Sequence, residues 1–275
     1  MKCRWCTVSN SSSPFRSVER RGYRGAVDTS TVLGKVMAVL RAFGIDDSVL
    51  SLAELARRTT IPKGTLHRVA ADMIDAQLLE RADGGYRLGG QLFELGMRAS
   101  VERGLLEVAI PFLEDLYVRT GETVHLGVLE GAEVVYLSKI GGHQQATAPS
   151  RLGGRMPLHC TAIGKILLAY ADPQLRERVL SGPLPRFTRN TRVMPGQLAA
   201  QLERIVADGV AYEFEESAEG IVCVAAPVRD SAGATVAAVS VTGPSHRFRP
   251  EMHAQSVSAG AAGIGVMLAR RARSQ

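Results

Sequence analysis

The tightest constraint in this sequence lies between Ser51 and Leu88, where start and stop signals for two helices and a hairpin fall too close together for anything but a small packed unit. Ser51 stands three residues before Glu54 and just ahead of Leu52, Leu55 and Ala56, which predicts a capping box opening a short helix that ends near Thr59. Pro62 fits the first turn of the next helix, where its missing N–H has no partner to lose, and Leu66, Val69, Met73 and Ile74 give that helix one apolar stripe. A short apolar strand around Leu78 and Leu79, the turn residues Asp83, Gly84 and Gly85, and then Tyr86, Arg87 and Leu88 predict a β-hairpin. Upstream, Val32, Val36, Val39, Leu40 and Phe43 recur at helical spacing, with Gly44 as a stop. Helices joined by so short a turn and followed by a hairpin make a winged helix-turn-helix over residues 29–90.

The charge is distributed to match. Residues 1–90 carry 14 Lys and Arg against 9 Asp and Glu, while residues 91–275 carry 19 against 18, so the net excess of +6 sits almost entirely in the N-terminal third. A basic segment ahead of a near-neutral body suits contact with phosphates by one domain only. On the second helix of the pair, Lys63, Gly64, Thr65, His67 and Arg68 fall on the face opposite the apolar stripe, toward the N-terminal half that meets base edges in a major groove. Arg68 can fork onto a guanine, and Gly64 permits close backbone approach. Arg57 and Arg58, ending the preceding helix, and Arg87 in the wing are placed for phosphates.

The remainder reads as a second, larger domain. Residues 1–28, with Ser9, Asn10, Ser11, Ser12, Ser13 and Pro14, have no apolar periodicity and are expected to be a disordered tail. Gln91 to Gly121 is helical in pattern, with breaks expected near Gly104 and Pro111; residues 91–104 are read as a linker helix and 105–272 as the second domain. Glu122 to Leu129 and Ala132 to Ile140 predict a hairpin, Thr161 to Ala171 and Leu198 to Asp208 helices, Ile221 to Val228 and Thr235 to Thr242 strands, and Pro250 to Arg270 a closing helix. That order predicts an α+β protein whose second domain is mixed α/β with a largely antiparallel sheet.

The segment SLAELARRTTIPKGTLHRVAADMIDAQLLERADGGYRLGGQLFELG, from Ser51 to Gly96, resembles the DNA-binding domain of the isocitrate lyase regulator (IclR) family of transcription factors. Met156 to Ala171 and Gly209 to Pro244 resemble that family's effector domain, so the likeness is collinear over nearly everything after residue 28. The resemblance implies a GAF-like ligand domain, homodimers or homotetramers, and operator DNA bound under the control of a small organic acid or aromatic compound. By matched position it also implies that Met156, Ala162, Ile163, Glu213, Ile221, Cys223, Ser240 and Thr242 contact the effector. The residues support part of this directly, since Ser240 and Thr242 are two apart on a strand and share one face. Glu213 stands where the family usually has Asp, and Arg229 where it often has an aromatic.

Other chemistry finds little support. No apolar run approaches the roughly 20 residues of a membrane helix, and the N-terminal stretch lacks the apolar core of a secretory signal, so a cytoplasmic protein is expected. Cys3 and Cys6 have C-x-x-C spacing without the second ligand pair that a structural zinc needs. His159 and Cys160 are chain neighbours that point apart, and Gly153, Gly154 and Arg155 lack the Lys-Ser/Thr of a phosphate loop. Neither catalysis nor a cofactor or metal is expected.

Overall fold

A computed structural model describes residues 28–44, 47–98, 100–141 and 148–273. Cys3, Cys6 and the expected tail up to residue 27 lie outside the described residues. The chain divides into two compact units, with the boundary between Arg103 and Gly104. Among the described residues no helix is long and apolar enough to cross a membrane.

In the smaller unit, α1 (Val32–Ala42) starts at Thr31, whose hydroxyl accepts from the Gly34 amide, and α2 (Leu52–Thr59) starts at Ser51, whose hydroxyl accepts from the Glu54 amide. Only this half of the expected capping box forms, because the Glu54 carboxylate turns toward Arg57 and Arg58 rather than back to Ser51. Next, α3 (Lys63–Asp75) follows Pro62 at the cap position. The hairpin of β1 (Leu79–Ala82) and β2 (Gly85–Leu88) pairs Leu79 with Leu88, and Leu50 adds a bridge to Tyr86 on its outer edge. Val39, Leu55, Leu66 and Ala70 are fully buried where the helices and hairpin meet. A short α4 (Gln91–Met97) follows.

In the larger unit, α5 (Ser100–Thr120) runs straight through both expected breaks, with Pro111 inside it. Leu105 and Ala109 before the proline and Leu113 and Leu116 after it are buried in the same core, and that shared burial outweighs the one backbone bond a proline removes. The sheet comprises β3 (Thr123–Glu130), β4 (Glu133–Ile140), β5 (Arg155–Pro157), β6 (Ala211–Phe214), β7 (Ile221–Arg229) and β8 (Thr235–Pro244). Its order is β5-β4-β3-β8-β7-β6 and every pairing is antiparallel. The expected strands and helices are present, except that the linker helix expected over residues 91–104 is divided between α4, which ends at Met97, and α5, which begins at Ser100; β5, β6 and α7 (Pro173–Ser181) are additions.

The two sheet faces do different work. Val124, Leu126, Val224, Val239 and Val241 point to one side, where α5 and α9 (Pro250–Ala272) cover them. Residues of opposite parity, among them Cys223, Ala225 and Ala238, point to the other, where α6 (Ala162–Ala169) and α8 (Pro195–Asp208) lie. Every residue of α6 is buried. It can lie so deep because Gly127 and Gly164 have no side chain. A Cβ at Gly127 would stand 2.9 Å from the Ile163 side chain, and one at Gly164 would stand 2.5 Å from the Leu158 carbonyl oxygen.

The turn between α2 and α3 holds Thr60 at φ 59°, a left-handed conformation that strongly disfavours β-branched residues. Thr60→Gly relieves that strain, less the extra chain entropy that glycine loses on folding. The smaller unit should gain about 0.5–1 kcal/mol, seen as a higher midpoint in thermal or urea unfolding, whereas Thr60→Val should give no gain.

Candidate functional site

On the smaller unit, α3 buries Leu66, Val69, Ala70 and Met73 and turns Lys63, Gly64, His67 and Arg68 outward, with Thr65 half-buried at the margin. Among the described residues, Lys63, His67 and Arg68 have no hydrogen bond or ion pair, and a Cβ on Gly64 would meet nothing within 4 Å. This is an open basic face. The three arginines read as phosphate contacts differ from one another. Arg87 pairs across the hairpin with Glu80 at 2.6 Å and Arg57 pairs with Glu54 at 2.6 Å, both exposed ion pairs of the kind worth about 0–1 kcal/mol and easily exchanged for phosphate. Arg58 is the most engaged of the three: its guanidinium is held by Asp47, Glu54 and the Ala42 carbonyl, tying α2 to the end of α1. Hydrogen bonds from Arg57 and Arg58 hold the Glu54 carboxyl down to about 2.

In the larger unit, all eight residues implied as effector contacts line one cavity between the sheet and the start of α6. The register explains why. Glu213 on β6 faces Cys223 on β7, which faces Thr242 on β8; one row along, Ser240 on β8 faces His125 on β3. Direct cross-strand partners share a face, so these side chains form two adjoining polar rows under α6. Ile163, Met156 and Ile221 supply the apolar walls. His125, Tyr136, Ser150, Thr161 and Ser217 also line the cavity and were absent from the sequence reading. His125 had a signal: its ring interrupts β3, where Val124, Leu126 and Val128 alternate with it.

The Thr242 hydroxyl donates to Cys223 Sγ at 3.1 Å, and the thiol donates to Glu213 Oε2 at 2.8 Å. Glu213 Oε1 accepts from the amides of Glu216 and Ser217 and from the Ser217 hydroxyl, at 2.9 to 3.0 Å. The Glu213 carboxylate thus accepts four hydrogen bonds from the protein's own donors. Burial pushes its pKa up against those hydrogen bonds, and burial likewise pushes the Cys223 thiol well up, so the sulfur stays protonated at neutral pH. Burial, with Lys139 adding to it, holds His125 down to about 3, which makes it a neutral imidazole with one donor and one acceptor nitrogen. No Lys or Arg lines the cavity among the described residues. Its positive element is the start of α6: Thr161 caps the Gly164 amide, while Ala162 and Ile163 contribute first-turn amides without helical partners.

Beside the cavity lies Lys165, the largest fully buried side chain, with Nζ 2.5 Å from Glu216 and 3.1 Å from the Tyr212 carbonyl oxygen. It pins α6 to β6 and to the turn that saturates Glu213. His159 turns instead to the Pro185 carbonyl at 2.9 Å, away from any nucleophile role with Cys160. Removing one member of a buried pair strands the other. Lys165→Met should therefore destabilise by about 3–5 kcal/mol, and the double change Lys165→Met, Glu216→Leu by much less, as read from urea midpoints.

Similarity to known proteins follows both units. The family described as IclR helix-turn-helix domain matches residues 32–83, and the one described as bacterial transcriptional regulator IclR C-terminal matches residues 97–262. The chain is 36% identical over 237 residues to the HTH-type transcriptional regulator BhcR of Paracoccus denitrificans, covering 83% of this chain and 84% of that protein. It is 35% identical over 225 residues to the HTH-type transcriptional regulator KdgR of Escherichia coli, covering 81% and 85%. A crystal structure of an IclR homolog complexed with 4-hydroxybenzoate from Microbacterium hydrocarbonoxydans is similar at TM-score 0.83 and 34% identity, covering 88% of this chain and 100% of that one. The Thermotoga maritima IclR crystal structure is similar at TM-score 0.71 and 30% identity, covering 86% and 98%.

Proposed function

The chain belongs to the IclR family of bacterial transcriptional regulators, and from that premise we propose that α3 and the β1–β2 hairpin bind operator DNA while the cavity beneath α6 binds a small aromatic hydroxy acid that sets operator affinity. Family members are regulators of transcription and not enzymes. Ligand binding rests above all on one observation: hydroxyls, an imidazole and a thiol from four strands converge with apolar walls on a buried space at a helix start. A cytoplasmic homo-oligomer that spans paired half-sites is the form that fits this reading.

The chemistry of the walls sets the ligand class. With no Lys or Arg in the lining among the described residues, a carboxylate is held by the first-turn amides of Ala162 and Ile163, where the helix dipole favours negative charge. Its ring lies against Met156, Ile163 and Ile221, and a distal hydroxyl reaches Ser240 and Thr242. The 4-hydroxybenzoate bound by the Microbacterium homolog has these groups at opposite ends of a ring and supports the class. Glu213 adds a constraint, because a ligand anion nearby raises its already raised pKa further, so that binding takes up a proton. Affinity for a carboxylate should accordingly rise as pH falls. Calorimetry of the full chain with 4-hydroxybenzoate in buffers of different ionisation heat should show proton uptake, and Glu213→Gln should abolish it. Unaltered affinity in the double variant Ser240→Val, Thr242→Val would move the ligand elsewhere.

DNA recognition divides in the same way into reading and holding. Arg68→Ala should weaken binding to the DNA upstream of the protein's own gene by roughly 1–3 kcal/mol more than binding to random DNA. Arg57→Ala should weaken both alike and flatten the salt slope by about one unit. Equal losses on both DNAs for Arg68→Ala, measured by mobility shift across a salt series, contradict a base-reading role.

A further inference from the structure

The effector cavity has a volume of about 20 Å³, little more than a single water requires. A ring-sized acid needs several times that, so part of the wall must yield. Most of it cannot do so easily: the strands are paired on both sides of His125, Cys223 and Ser240, and α6 is buried throughout. The exception is Ala148, Pro149 and Ser150, which line the cavity without any backbone-to-backbone hydrogen bond among the described residues. Among the described residues, two side chains hold this strap. Lys139 Nζ donates to the Ser150 carbonyl at 2.6 Å, and the Ser150 hydroxyl lies 2.8 Å from His125 Nε2. Just beyond, paired bonds between Tyr136 and Gly153 and Gly154 fix the far end to β4, which leaves a natural hinge.

His125 is placed to exchange partners. Its ring is buried in the sheet face, yet among the described residues Nδ1 has only long contacts of 3.5 Å to the Ser240 and Thr242 hydroxyls, and its one strong partner is Ser150. We propose that Ser150 is a built-in competitor for the effector cavity: its hydroxyl occupies His125 in the empty protein, and a bound hydroxy acid takes its place on the imidazole as the strap at residues 148–150 swings outward. A neutral imidazole both donates and accepts, so His125 selects ligands that carry a hydroxyl or carboxylate at that end and rejects purely apolar ones. The inference rests on the effector reading above, but the latch itself is measurable without ligand.

The test uses the full chain. Hydrogen–deuterium exchange over residues 148–154 is followed in the parent, Ser150→Ala and His125→Phe, and 4-hydroxybenzoate and benzoate are titrated by calorimetry. Ser150→Ala should speed exchange of the strap, leave β7 and β8 protected, and bind 4-hydroxybenzoate about 2- to 10-fold tighter, the worth of one hydrogen bond removed from the competing state. His125→Phe should also speed strap exchange but lose the preference for 4-hydroxybenzoate over benzoate, an opposite effect on ligand that a merely structural contact does not give. Unchanged strap exchange in Ser150→Ala, or weaker binding of 4-hydroxybenzoate to it, overturns the proposal. If neither parent nor Ser150→Ala binds the probe while strap exchange still rises, the latch stands and the aromatic ligand class is what fails.

Discussion

The buried carboxylate of Glu213 is the fixed point of the larger unit. Taking a charged or polar group out of water costs several kcal/mol unless it is fully hydrogen-bonded. Glu213 meets that demand with donors from three places: the Cys223 thiol across the strand pair, and the amides and hydroxyl of Glu216 and Ser217 in the following turn. Satisfying it fixes the β6–β7 register, bends the turn back on itself, and brings Glu216 to Lys165. Lys165 in turn seats α6 over the sheet, and α6 roofs the cavity. One chain of buried polar contacts thereby links β6, the turn after it and α6 along the edge of the cavity.

How much of this could be read beforehand depended on how local the signal was. The helix-turn-helix was legible because Ser51, Pro62 and Gly84 are start and turn residues whose effects act within a few positions, and the two central strands were legible because their apolar runs are long. The three-residue β5 and four-residue β6 are too short to show a period, and α7 has only Leu175 buried to mark its inner face. The eight cavity positions came through likeness to a family. His125 and Ser150 instead meet only because sheet register and a returning strap bring together residues 25 apart. Arg58 is a related case: charge and position give an arginine two equally good uses, and only the fold reveals that Asp47 lies within its reach.

The division of labour between the units follows from their chemistry. The smaller unit offers exposed cations, Lys63 and Arg68, without hydrogen-bond or ion-pair partners among the described residues, suited to a polyanion. The larger offers a cavity with no Lys or Arg lining it among the described residues, beside the first-turn amides of α6. Coupling between such sites in regulators is typically about 1–3 kcal/mol, or 5- to 150-fold in affinity. A ligand shifts an equilibrium only by its differential affinity for the two states.

The account stands on linkage between the cavity and the operator, and one titration tests it. Fluorescence anisotropy of labelled DNA from upstream of the protein's own gene is measured with increasing protein, with and without saturating 4-hydroxybenzoate, for the parent and for the Ser240→Val, Thr242→Val variant. The predicted result is a shift in operator Kd of about 5-fold or more in the parent, in either direction, and none in the variant at the same ligand concentration. An operator Kd that ignores the ligand in a parent shown by calorimetry to be saturated with it contradicts the account, as does an equal shift in both proteins.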